Sequence, residues 1–134
     1  MSYAVSAALQ TSLYQALCAD AALVALVGTA IFDAPPQGTP PALWVALGPE
    51  TVKDSSDKSG AGALHELEIS VVASADGFHA LKTVAGAVSD ALAGEIPALG
   101  RGNLIYLNFL KARARREGRL RRIDLTFRAR VQDS

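Results

Sequence analysis

The side chains able to do chemistry are concentrated at one end of the chain. Residues 101–134 carry nine arginines and Lys111 against Glu117, Asp124 and Asp133, whereas residues 1–100 carry three lysines against ten acids. A formal net charge of zero therefore hides halves of −7 and +7. Seven of the cations crowd together as Lys111, Arg113, Arg115, Arg116, Arg119, Arg121 and Arg122. Guanidinium groups recognise carboxylates and phosphates through paired hydrogen bonds, so this cluster is suited to binding an anionic partner, either an acidic protein face or nucleic acid.

Bond-making chemistry has little to work with. His65 is followed by Glu66 and Glu68, yet no second histidine stands at helical or strand spacing to complete a metal site, and His65 reads as a strand-edge residue. Glu66 and Glu68 share one strand face, about 7 Å apart, which is the spacing of a solvated face as well as of a carboxylate pair. Cys18 stands alone, so it forms no intrachain disulfide or thiolate cluster, and its place in a helical pattern makes it a core or boundary residue. No nucleophile elbow, zinc spacing or phosphate-binding loop is present. The composition points away from an enzyme and implies no cofactor.

The elements that must position the arginines are two arms of a β-hairpin. Ile123, Leu125, Phe127, Ala129 and Val131 alternate with Arg122, Asp124, Thr126, Arg128 and Arg130, the period of a strand with one buried and one wet face. The first arm places Ile105, Leu107 and Phe109 on one face. Pairing odd residues with odd residues keeps both apolar sets together, which rules out a two-residue turn at Glu117-Gly118 and predicts a three-residue loop over 117–119. Phe109 then faces Phe127, and Arg115 faces Arg121. Like charges directly opposite are unfavourable, so this tip calls for an anionic partner. The second arm covers about 43 Å against a domain diameter of about 36 Å, and a straight arm would overhang the body.

The rest of the chain supplies the body. Residues 2–19 form an amphipathic pattern through Val5, Leu9, Leu13, Ala16 and Leu17, with Ser2 as cap, and Asp20 caps a short helix over 21–27 that Gly28 ends. Ile31-Phe32 is a short strand entering a connector with four prolines, and 43–47 is an apolar strand with Trp44 half-buried. Residues 48–62 are polar and glycine-rich without periodicity, which predicts a long loop whose Glu50, Lys53, Asp54, Asp57 and Lys58 are candidate partner contacts. Residues 64–74 alternate as a third strand, and Asp76 caps a helix over 77–93 with its stripe through Phe78, Leu81, Val84, Ala85, Val88 and Leu92.

At 134 residues, half of them hydrophobic, the chain reads as one domain over 1–134 with a sizeable core. No run approaches the roughly 20 apolar residues of a membrane span, and the start lacks a signal-peptide pattern, so a protein assembled in the cytoplasm without a membrane partner is expected. The predicted fold is α+β: an antiparallel β-sheet of about four to five strands, two longer helices packed on one face, and a long protruding β-hairpin.

Several stretches are similar to a known family. I-F-D-A-P-P at 31–36, L-W-V-A-L-G followed by D-S-S-D-K-S-G-A-G at 54–62, H-E-L-E-I-S-V at 65–71, and above all L-N-F-L-K-A-R-A-R-R and R-R-I-D-L-T-F-R-A-R-V resemble the phage tail-completion family of prophages and gene transfer agents. The likeness covers nearly the whole chain. It implies a virion structural protein of the tail or neck, akin to tail terminators, which form a hexameric ring on the tail tube, stop its polymerisation and join the head connector. The implied partners are further copies of the chain, the tail tube protein and the head-tail connector or stopper protein. Six bodies about 36 Å wide leave a hole of similar width, through which double-stranded DNA would pass without sequence-specific binding. Both the hairpin and the 50–62 segment are then candidate arms between subunits. The competing readings are another neck component and a basic β-hairpin that binds nucleic acid.

Overall fold

The computed structural model describes residues 3–58, 60–74 and 78–133. In chain order they form α1 (Ser6–Ala19), α2 (Ala21–Val27), β1 (Ile31–Phe32), β2 (Leu43–Asp54), β3 (Ala61–Ala73), α3 (His79–Ala93), β4 (Asn103–Glu117) and β5 (Leu120–Asp133). The expected caps Ser2 and Asp76 lie outside the described residues. Asp20 caps α2 by accepting the Leu23 amide at 2.9 Å, and Gly28, at φ 60°, ends it.

The five strands make one sheet in the order β1-β2-β3-β5-β4. All neighbours are antiparallel except β1 and β2, which run parallel, so the expected antiparallel sheet is mixed at this edge. Odd-numbered residues of β3 and β5 face the helices. Leu67, Ile69, Val71, Ile123, Leu125, Phe127 and Ala129 pack there with Leu9, Leu13 and Leu17 of α1 and Leu81, Val84 and Val88 of α3 in one core. The opposite face holds a second, small cluster of Trp44, Ala46 and Val72, against which Phe32 and Leu120 pack. Trp44 is thus buried rather than half-buried.

Three expectations change. First, β2 continues to Asp54 and β3 begins at Ala61, so most of the segment predicted as a loop is strand. A bulge between Leu47 and Glu50, over Gly48-Pro49, shifts the register and lets the strand resume. Second, the β4–β5 hairpin pairs Glu117 with Leu120, leaving a two-residue turn of Gly118 and Arg119 with Gly118 at φ 61°. Phe109 does face Phe127, but Arg115 faces Arg122 and Arg116 faces Arg121. Parity failed at the tip because a register shift between Phe109 and Lys111 leaves Leu110 as an unpaired extra residue, and a second shift, between Leu104 and Tyr106, leaves Ile105 unpaired at the base. Third, β5 is paired with β3 along its length, from Ala61 opposite Asp133 to Ala73 opposite Arg121. The overhang beyond β3 is only the turn, because the sheet as a whole is long.

Candidate assembly surfaces

The arginine cluster is divided between the two sheet faces. On the face away from the helices, Asp124 accepts from Ser70 Oγ at 2.6 Å, Arg122 Nε at 3.2 Å and Arg115 Nε at 3.2 Å. Glu117 accepts from Arg115 Nη1 at 2.8 Å and Arg122 Nη1 at 3.3 Å. The opposed pair Arg115/Arg122 therefore finds its counterions inside the chain, correcting the expectation that facing arginines require an external anion. Burial opposes ionisation of Asp124, but the Ser70 hydroxyl and the guanidiniums of Arg122 and Arg115 outweigh it and hold this carboxyl below the usual carboxylate range. The same contacts, with Asp124 first and Glu117 second, raise the Arg115 pKa.

Arg121 lies on the helix-side face and is buried, so it offers no open surface in the subunit. Lys111, Arg113, Arg116 and Arg119 are exposed and form no ion pair among the described residues. Lys111 and Arg113 border a cleft of about 320 Å³ with Glu68, Arg115, Asp124 and Thr126. Glu66 reaches Arg128 at 3.7 Å across the strands, a solvated ion pair rather than a carboxylate dyad.

The second predicted arm is held by its own chain. Lys53 and Asp54 lie on β2, and Asp57 and Lys58 on the turn to β3. Asp54 accepts from Ser56 Oγ at 2.6 Å, which lowers the Asp54 pKa. Arg130 of β5 donates to the Ser55 hydroxyl, and to its carbonyl at 3.0 Å. Gly62 permits this approach, since a Cβ there would stand 2.9 Å from the Ser55 carbonyl oxygen.

Glu50 points between sheet and helices, where it meets His65 Nδ1 at 3.0 Å and the Ser6 hydroxyl at 2.8 Å. His65 is fully buried on a central strand, not at an edge. The arrangement does not form a relay: one carboxylate sits between histidine and serine, and His65 Nε2 meets no partner among the described residues. No group of three His, Cys, Asp or Glu among the described residues could hold a metal ion. Cys18, expected at the core or its boundary, is exposed. No single helix among the described residues is long and apolar enough to cross a membrane.

Sequence reasoning overlooked the apolar surface. Ile105, Tyr106, Phe109 and Leu110 of β4 are exposed, as are Val24 and Leu26 of α2. The signal was present in α2, whose A-A-L-V-A-L-V has no polar face although only Leu23 is buried.

Comparison with known proteins follows the same lines. The model of the family described as tail completion protein gp17 matches residues 11–132. A chain in the solved virion of a native gene transfer agent particle is 55% identical, with a TM-score of 0.90 over 98% of this chain and 99% of that one. No curated protein matches.

Proposed function

We propose that this chain, which belongs to the tail completion protein gp17 family, is a non-enzymatic terminator of a phage-like tail, forming a ring on the tube and joining it to the head connector. The observation that carries this reading is the full-length likeness, at 55% identity, to a chain of a gene transfer agent virion. On this reading the protein sits in the tail of such a particle, with copies of itself, the tube protein and the connector as its partners. A hexameric ring wide enough for a DNA duplex is the form that fits this station.

The chemistry of the surfaces agrees with a role carried by contacts. The reactive groups are spent on structure: His65 and Glu50 on packing α1 against the sheet, Asp124 and Glu117 on neutralising arginines. Particles assembled without the protein should carry tubes of uncontrolled length and lack joined heads. Tubes of normal length still attached to heads would remove the terminator reading.

A nucleic-acid role draws its support from exposed Lys111, Arg113, Arg116 and Arg119. It predicts DNA binding by the isolated chain with a steep fall in affinity as salt rises. The terminator reading predicts only weak, sequence-independent binding.

A further inference from the structure

The sheet has two lateral sides of opposite character. On one side β4 is an edge strand of 15 residues with its outer hydrogen-bonding row unpaired. Long open edges carrying apolar side chains promote association unless something covers them. The two residues that the register shifts leave without partners are Ile105 and Leu110, 49% and 40% exposed. Phe109, 52% exposed, stands beside them. Bulges commonly re-aim a side chain, and here both extra residues are large and apolar. Of the five cations from Arg101 to Arg116, Arg101 is paired with Asp133 and Arg115 with Asp124 and Glu117, while Lys111, Arg113 and Arg116 stay exposed with no acid in the segment.

The other side is built by α1, α2, β1 and β2. There α2 packs on α1, α3 and β2, leaving Val24 and Leu26 37% and 42% exposed. Residues 1–52 contain no lysine or arginine, while Asp20 and Asp33 are present and Glu50 is engaged by His65 and Ser6. One side is apolar and basic, the other apolar and acidic. Two unlike but complementary patches on opposite sides of one subunit make a head-to-tail contact, and such contacts close into rings or run on as filaments.

We infer that the occupant of the β4 edge is a second copy of this chain, which seats the outer face of α2 against Ile105, Phe109 and Leu110. This rests on the ring proposed above and specifies which faces join. Apolar contact supplies the adhesion, and the charge difference selects α2 over another β4 as the mate. The contact is directional, so neither face pairs with itself.

The test uses particles assembled with a Cys18→Ser chain that also carries Val24→Cys and Leu110→Cys. Mild oxidation should yield covalent multimers of this chain, while either single-cysteine version stays monomeric on a denaturing gel. Particles whose imaged ring is intact but gives no cross-links would overturn the assignment of faces and leave the ring standing. Dimers from one single-cysteine version would also overturn it, because they require a symmetric contact. Particles with no ring of this chain would remove both readings. Independently, Leu26→Asp and Leu110→Asp, each verified as folded by circular dichroism, should lower incorporation about tenfold. Wild-type incorporation of both would contradict the proposal.

Discussion

The two halves of β4 differ in what they leave unmet. Near the turn, Arg115 is matched by Asp124 and Glu117, and Leu120 fastens the turn to the Trp44 cluster. At the base, Ile105 and Phe109 are half exposed beside an open strand edge. The half that draws attention in the sequence, by its arginines, neutralises its facing pair Arg115 and Arg122 within the subunit and leaves Lys111, Arg113, Arg116 and Arg119 on open surface. The half that looks ordinary there carries the uncovered apolar surface. Charge density marks a region of strong interaction without saying whether the partner is internal, since a counterion two residues away on the same strand face serves as well as another protein.

Breaking the base of the hairpin should have the largest effect. Gly102, at φ +73°, would bring a Cβ within 2.5 Å of the Gln132 carbonyl oxygen and 2.9 Å of a Val5 methyl. Gly102→Val should cost about 3 kcal/mol or more of stability in urea unfolding, through backbone strain and displacement of the start of α1. Near the turn, Asp124→Ala removes the counterion shared by Arg115 and Arg122 and should cost about 2 kcal/mol. Because the folded pKa of Asp124 is depressed, its contribution is present above the unfolded value of about 3.9 and is lost as pH falls through the lower folded value. Stability measured from pH 6 to pH 2 should therefore fall less steeply at the acid end for Asp124→Asn than for the parent chain.

Smaller changes sharpen the contrast. Phe109→Ala deletes an edge-to-face contact with Phe127 at 5.8 Å centroid separation. Since Phe109 is half exposed, the cost to the monomer should be about 1 kcal/mol, with a disproportionate loss of incorporation into particles. Replacing Arg113 and Arg116 together with serine should change monomer stability by less than about 0.5 kcal/mol, since neither has an ion pair among the described residues. Adding Arg115→Ser to that pair should destabilise the fold as well, so an assembly defect in the triple variant would mix two causes.

Alternation in β3 and β5 made the central strands, the buried odd-numbered face and the Phe109–Phe127 pairing readable, because both strands are regular wherever they pair with each other. Bulges hid the remainder. Gly48-Pro49 interrupts β2, after which Glu50 takes an inward position that an apolar residue would have signalled; its partner His65 is equally uncharacteristic of a core. In β4, the insertion at Ile105 sets Leu107 and Phe109 inward, and the insertion at Leu110 moves the inward register to Ala112 and Ala114 and the turn to Gly118-Arg119. Parity arguments assume an unbroken ladder, and both bulges violate that assumption. Among the candidate contacts, Lys111, Arg113, Arg116 and Arg119 sit on open surface, whereas Arg121 and Glu50 turn inward. That division depends on three-dimensional register, which composition does not carry.

The central claim is that the chain forms the ring where the tail tube meets the head. Electron cryomicroscopy of particles containing this chain tests it most directly. The account predicts a closed ring of copies at the head-proximal end of the tube, with β4 of each copy facing α2 of the next. Density for the chain elsewhere in the particle, or as isolated copies at that joint, would contradict it.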